Sequence, residues 1–134
     1  MQHCSLLVRR FTKKNCKKSS KIGLLATEGT LKTQIYNKLF EKDFIIINPN
    51  ESLQVKSVNQ AIKYVKMGNI KLAEKSIRPA INYLLKMKCK KIILGCTELP
   101  IAIFAFKSFK NIKLSKIFLD PNLILATASM AKYK

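Results

Sequence analysis

Short apolar runs alternate with longer amphipathic stretches from residue 21 onward, and this alternation constrains the fold more than any other feature. Four runs predict buried strands: KIGLLA (21–26), DFIIIN (43–48), KKIILG (90–95) and KIFL (116–119). Strands that are separated by helices are most simply parallel, with right-handed crossovers and helices on both faces. The sequence therefore predicts an α/β fold, a single three-layer domain with a four-stranded parallel sheet.

The amphipathic stretches between these runs predict helices. Their apolar residues recur at three- and four-residue steps, as they do on one face of a helix. Pro79 should kink or split the third of these helices, and Asp120 can cap the last one, with Pro121 at its first position. The predicted helices cover residues 29–42, 51–66 (ended by Gly68 and Asn69), 70–88, 99–109 and 120–134.

The chain is strongly basic, with 26 Lys plus Arg against 7 Asp plus Glu in 134 residues and a net charge of +19. Such a charge raises the possibility of nucleic-acid binding. However, arginine occurs only as Arg9, Arg10 and Arg78, and the lysines are spread along the chain between apolar positions. This pattern favours a lysine-rich surface, and a nucleic-acid partner is the less favoured alternative.

The four cysteines, Cys4, Cys16, Cys89 and Cys96, share no C-x-x-C spacing, and His3 is the only histidine. We therefore expect reduced thiols and no metal site. No apolar run approaches the ~18 residues that a membrane-spanning helix needs. A cytoplasmic location is the default expectation.

Residues 1–20 contain Arg, Lys and Ser but no acidic residue, and they show no readable periodicity. They predict a basic irregular leader, either a presequence or a by-product of truncation. Residues 21–134 are then the folded domain.

Three strand exits carry unusual residues: ATEGT (26–30), GCTE (95–98) and LDPN (119–122). In a parallel sheet all three lie at the carboxyl edge, where open α/β sheets bind ligands. Gly29 and Thr30 begin a helix and, with the Thr27 hydroxyl, could hold a carboxylate or phosphate, although a plain helix cap explains them equally well. Cys96 lies at the next helix start, whose dipole favours thiolate; the alternative is a small buried hydrophobe.

Four segments resemble motifs of the aspartate/glutamate racemase superfamily, in the same order: KIGLLATEGTLKTQIY (21–36), AIKYVKMGNI (61–70), KKIILGCTELPI (90–101) and FLDPNLILA (118–126). The GCTE form, with Glu98, is similar to the aspartate racemase branch. The resemblance implies that residues 21–134 form the C-terminal lobe of a two-lobed fold. It also implies a cofactor-independent enzyme that interconverts L- and D-aspartate, or a related acidic amino acid, through two cysteines on opposite faces of the α-carbon.

Carried over by motif, Cys96 is the second catalytic thiol and Thr97 contacts the substrate. Thr27, Gly29 and Thr30 form part of the wall that positions the substrate, and Lys66 lies near its side-chain carboxylate, unless it is one more solvated lysine. Glu98 either tunes Cys96 or caps the helix that follows.

Residues 1–20 contain no match to the first-lobe motif, in which a cysteine is followed by Asn-Thr. The chain is therefore expected to represent the second lobe alone and to form an oligomer or pair with a separate first lobe. Three hypotheses stay open: half of a racemase, a noncatalytic remnant that binds a dicarboxylate or a protein, and a nucleic-acid-binding protein.

Overall fold

The computed structural model describes residues 2–105 and 116–131 of the chain. Four strands form one sheet in the order β2-β1-β3-β4, and all the pairs are parallel. Their bounds are β1 (Lys21–Leu25), β2 (Ile45–Ile47), β3 (Lys91–Leu94) and β4 (Phe118–Leu119). The predicted four-stranded parallel sheet is therefore confirmed.

The helices lie on both faces of this sheet. Their bounds are α1 (Gln2–Asn15), α2 (Glu28–Thr33), α3 (Ile35–Phe40), α4 (Glu51–Leu53), a π-helical segment (Gln54–Asn59), α5 (Gln60–Lys66), α6 (Ile70–Lys86), α7 (Glu98–Phe104) and α8 (Pro121–Ala131). Residues 106–109 and 132–134, which were also predicted to be helical, fall outside the described residues. In the described part of the chain, no helix is long and apolar enough to cross a membrane.

Successive strand side chains point to opposite faces and so form two cores. Leu25, Ile92 and Leu94 pack with buried side chains of α5, α6 and α7 on one face. Ile22 and Ile93 pack on the other face with side chains of α1, α3 and α8. Two apolar layers against one sheet give the predicted three-layer architecture.

The irregular leader expected for residues 1–20 is wrong for most of its length, because Gln2–Asn15 form α1. Val8 and Thr12, four residues apart on one face of this helix, are fully buried, and Val8 belongs to a core. Arg9 also pairs with Asp43 at 3.0 Å. The segment is helical because this narrow stripe packs against the sheet, a tertiary contact that the polar composition hides.

Two helix predictions need correction. The single helix expected over residues 29–42 is broken at Gln34, which adopts a left-handed conformation with φ of 53°. Of the two outcomes expected at Pro79, a kink or a split, the split is absent, because α6 continues from Ile70 to Lys86. The Ser57 hydroxyl accepts a hydrogen bond from Ala80 N at 3.1 Å and donates one to Ser76 O, so it bridges backbone groups that Pro79 would otherwise leave apart.

The helical stretch from Glu51 to Lys66 crosses the carboxyl edge of the sheet. Near its start, Gln54 bonds the carbonyl oxygen of Ala26, the residue after β1. At its end, Lys66 approaches Glu98, which follows β3. Gly68, with φ of 81°, then turns the chain into α6, as the sequence predicted. The stretch therefore lies over the strand ends and forms one wall of the site.

Candidate functional site

The ends of β1 and β3 place two of the predicted segments side by side. Leu25 pairs with Leu94, and Gly95 N donates a hydrogen bond of 2.7 Å to Leu25 O. A Cβ atom added to Gly95 would lie 3.1 Å from Ala26 Cβ, so the two chains are in close contact here. Continuing this register by two residues would place Cys96 opposite Thr27. The predicted convergence of the first two strand exits is thus present.

The third strand exit serves as a helix cap. Asp120 follows β4, its Oδ1 accepts a hydrogen bond from Asn122 N at 3.0 Å, and its carbonyl oxygen accepts one from Ile124 N at 3.0 Å. α8 begins at Pro121. The predicted arrangement of Asp120 as cap and Pro121 as first helical residue is confirmed.

Thr27 also caps a helix. Its hydroxyl oxygen accepts a hydrogen bond from Thr30 N at 3.2 Å and donates one to the Thr30 hydroxyl at 3.0 Å. Gly29 is exposed, and a Cβ atom there would meet only Thr27 Oγ1, at 3.9 Å. The two threonines hold each other at the start of α2, so the capping role proposed from sequence is present.

Cys96 is half-buried and bonded to a carboxylate. Its Sγ donates a hydrogen bond of 2.8 Å to Glu98 Oε2, and the Thr97 hydroxyl donates one of 3.0 Å to the same oxygen. α7 begins at Glu98 without a side-chain cap. Of the two roles open for Glu98, contact with Cys96 is therefore the one that the geometry supports.

This environment raises the pKa of Cys96. Burial is the largest cause, the hydrogen bond to Glu98 and the charge of Glu98 add to it, and the pKa rises from 9.0 to about 11. The backbone N–H of Glu98 and the charge of Lys66 lower the pKa, but by less. The helix dipole was expected to favour the thiolate of Cys96. Desolvation and the neighbouring carboxylate raise the pKa by more than the helix start lowers it, so the thiol is favoured instead. The same hydrogen bond lowers the pKa of Glu98, since it stabilises the carboxylate.

Lys66 connects this pair to an open cavity. Its Nζ lies 4.0 Å from Glu98 Oε1, and about two thirds of its side chain is exposed. A cavity of about 410 Å³ lies next to it, lined by Thr27, Asn59, Ile62, Lys63, Lys66 and Met67. An ammonium group at the rim of a cavity that also touches the α2 turn can attract a carboxylate.

Sequence reasoning missed Gln54 and Asn59. Gln54 Nε2 donates hydrogen bonds of 2.9 Å to Ala26 O and to Asn59 Oδ1. Asn59 Nδ2 in turn donates one of 3.0 Å to Glu28 Oε1. These residues are five apart and meet because the segment between them is π-helical, a local change that the apolar periodicity does not reveal.

The remaining described cysteines lie elsewhere. Cys16 follows α1, Cys89 precedes β3 and is buried, and both are free thiols, as is Cys96. Among residues 2–105 and 116–131, no three His, Cys, Asp or Glu side chains are grouped closely enough to hold a metal ion.

Solved structures place this architecture in the class of racemase-type α/β lobes. A candidate Asp/Glu racemase from Yersinia pestis superposes with a TM-score of 0.76 and 26% identity, over 97% of this chain and 54% of that one. An aspartate racemase homologue from Pyrococcus horikoshii gives a TM-score of 0.70 and 26% identity, over 94% of this chain and 55% of that one. Among curated proteins, glutamate racemase of Carboxydothermus hydrogenoformans is 29% identical over 90 residues, which are 66% of this chain and 32% of that protein.

Residues 8–128 match the model of the Asp/Glu/Hydantoin racemase family. The chain belongs to this family, and the resemblance seen in its motifs is confirmed. It spans about half the length of the solved structures it matches and about a third of the glutamate racemase.

Proposed function

We propose that this chain supplies one half of the active centre of a cofactor-independent racemase that interconverts L- and D-aspartate or a related acidic amino acid. The observation that carries the proposal is the Cys96 thiol at the carboxyl edge of the sheet, bonded to Glu98 and next to Lys66. Family membership supports racemase chemistry.

In this proposal Cys96 rests as the proton donor. With a pKa of about 11 it holds its proton at neutral pH. A base on the opposite face of the substrate removes the α-proton and leaves the electron pair on carbon. Cys96 then delivers its proton to the near face, becomes a thiolate and leaves the substrate inverted. The reverse reaction starts from that thiolate. The charge of Lys66 stabilises the thiolate, whereas the charge of Glu98 destabilises it.

The same edge offers groups that hold an acidic amino acid. We assign Lys66 to the side-chain carboxylate, because it carries a positive charge and lines the same cavity as Thr27. We assign Thr97, Thr27, Gly29 and Thr30 to the α-carboxylate or ammonium end, because they supply hydroxyl and backbone N–H groups after the ends of β3 and β1. Rigid binding of this kind is what α-proton abstraction needs, since the developing charge must be stabilised in place.

The opposite face of the substrate must be covered by a second lobe. Several large apolar side chains are exposed on elements that cross or begin at the carboxyl edge: Val55 (47% exposed), Met67 (66%), Ile101 (49%) and Leu123 (65%). Exposed apolar surface beside a site is typical of an interface. We propose that another lobe covers this surface and supplies the second base, either within one polypeptide or in an assembled oligomer. A cytoplasmic location stays a prediction.

The direct test is exchange of the α-proton. The chain is incubated with L-aspartate in D₂O, the Hα signal is followed by NMR, and D-aspartate is measured by chiral chromatography. We expect Cys96→Ser to abolish the formation of D-aspartate, because it removes the proton donor, whereas Cys16→Ser, which changes a half-buried thiol outside the site, should retain it.

A second candidate is binding without catalysis. Of the three cysteines whose side chains the structure describes, Cys96 is the one at the carboxyl edge, whereas inversion needs a proton-transfer group on each face. Saturable binding of aspartate without any loss of Hα signal, when the covering lobe is present, would favour this candidate over the racemase. Equal formation of D-aspartate by wild type and Cys96→Ser would contradict the role assigned to Cys96.

A further inference from the structure

Gln54 is a polar side chain fixed inside the protein. It is 6% exposed, and both of its amide N–H groups are used, one by Ala26 O and one by Asn59 Oδ1. Rotating the amide by half a turn would bring its oxygen against two acceptor oxygens, so the observed orientation is the favourable one. Its Oε1 is buried without a hydrogen-bond partner among the described residues. A buried acceptor without a partner costs free energy of folding, and such a group in a native protein calls for an explanation, of which a functional role is one.

The orientation of Asn59 follows from that of Gln54. Because Asn59 Oδ1 accepts from Gln54, its Nδ2 must face the other way, where it donates to Glu28 Oε1. Three hydrogen bonds therefore run from Ala26 O through both amides to Glu28. They hold the turn that carries Thr27 on both of its sides.

The π-helical turn makes this network possible. Residues five apart point in different directions on an α-helix, whereas a π-helical turn bonds residues five apart and brings them together. The widened turn spans Gln54–Asn59, the two residues of the network. Beyond it, seven further residues of helix lead to Lys66, about 10 Å at ~1.5 Å per residue.

We propose that Gln54 and Asn59 are positioning residues that set the separation between the Thr27–Thr30 turn and Lys66, and hence the length of acidic amino acid that fits. This inference rests on the function proposed above. The network joins the turn to the helix that ends in Lys66, and Thr27, Asn59 and Lys66 line one cavity. Aspartate and glutamate differ by one methylene group between their carboxylates, so a fixed separation would favour one of them.

The test is the ratio of two affinities in matched variants. Aspartate and glutamate are each titrated into the ¹⁵N-labelled chain, and the Kd of each is obtained from amide chemical shifts. Gln54→Met and Asn59→Leu remove the network at similar volume. Gln60→Met and Asn82→Leu make the same changes at exposed positions on α5 and α6.

We expect the ratio of the two Kd values to move toward unity by at least about threefold in Gln54→Met and Asn59→Leu, within the roughly 10- to 200-fold that one methylene group can contribute. The ratio in Gln60→Met and Asn82→Leu should equal that of the wild type. If Gln54→Met does not fold, as judged by circular dichroism, Asn59→Leu at its half-buried position carries the test.

A purely structural role would weaken both affinities by the same factor and leave the ratio unchanged, and this result would overturn the inference alone. Equal Kd values for aspartate and glutamate in the wild type would also overturn the inference. If the wild type binds neither amino acid, the proposed function itself fails, and the inference fails with it.

Discussion

The Cys96 thiol donates a hydrogen bond of 2.8 Å to Glu98 Oε2, so that a proton is shared between a sulfur and a carboxylate at the end of β3. This contact favours thiol and carboxylate together, because it raises the pKa of Cys96 while it lowers the pKa of Glu98. A donor thiol at neutral pH is the result.

Glu98→Gln should lower the pKa of Cys96 from about 11 toward 9.0, since the change removes the neighbouring charge and replaces the carboxylate acceptor with a weaker amide oxygen. Mass spectrometry of iodoacetamide-treated protein gives the alkylation rate of Cys96 as a function of pH. Glu41→Gln, at an exposed position away from the site, is the control. An unchanged midpoint in Glu98→Gln would show that burial alone sets the pKa.

The raised pKa of Cys96 also predicts how stability depends on pH. The folded state keeps this proton to about pH 11, whereas the unfolded chain loses it near 9.0. The contribution to the free energy of unfolding is therefore complete below pH 9 and is lost as the pH rises from 9 to 11. Because many lysines titrate in the same range, urea unfolding of wild type should be compared with Cys96→Ser. The prediction fails if the difference in the free energy of unfolding between wild type and Cys96→Ser is constant from pH 9 to pH 11.

Lys66→Met should weaken the binding of aspartate about two- to fivefold, a modest loss because this side chain is largely exposed. It should also raise the pKa of Cys96 further, since the charge of Lys66 lowers it. NMR titration and pH-dependent alkylation measure the two effects. Lys56→Met, on the same helical stretch, should change neither; an equal effect there would point to general charge attraction.

Gly95→Ala should destabilise the fold by about 1–3 kcal/mol, because its methyl group would lie 3.1 Å from Ala26 Cβ and 3.3 Å from Leu25 O. Gly29→Ala has open space and should change the free energy of unfolding by less than about 1 kcal/mol. Urea denaturation compares the two substitutions. Equal stability of both variants would mean that the contact between the ends of β1 and β3 relaxes without cost.

The sheet could be predicted from the sequence because each strand is a continuous apolar run, and such a run indicates burial on both faces of a parallel sheet. α1 could not, because Val8 and Thr12 alone are buried among its side chains from Leu6 to Asn15, and a polar segment with so few apolar residues resembles a disordered one. The continuity of α6 through Pro79 also depends on a distant group, the Ser57 hydroxyl, which local propensity does not include.

At the candidate site, the motifs predicted Cys96, Thr97 and Glu98 at one strand end, and parallel pairing predicted Thr27 nearby. The protonation of Cys96 could not be predicted, since it depends on the rotamer of Glu98 and on the depth of the thiol. Gln54 and Asn59 were missed because a π-helical turn leaves no apolar pattern of its own.

Burial raises the pKa of Cys16 and Cys89 as well as that of Cys96. Oxidants and electrophiles attack sulfur chiefly in its ionised form. These three thiols therefore stay mostly in their unreactive form under physiological conditions, and they should withstand peroxide exposure that would oxidise a sulfur ionised at rest.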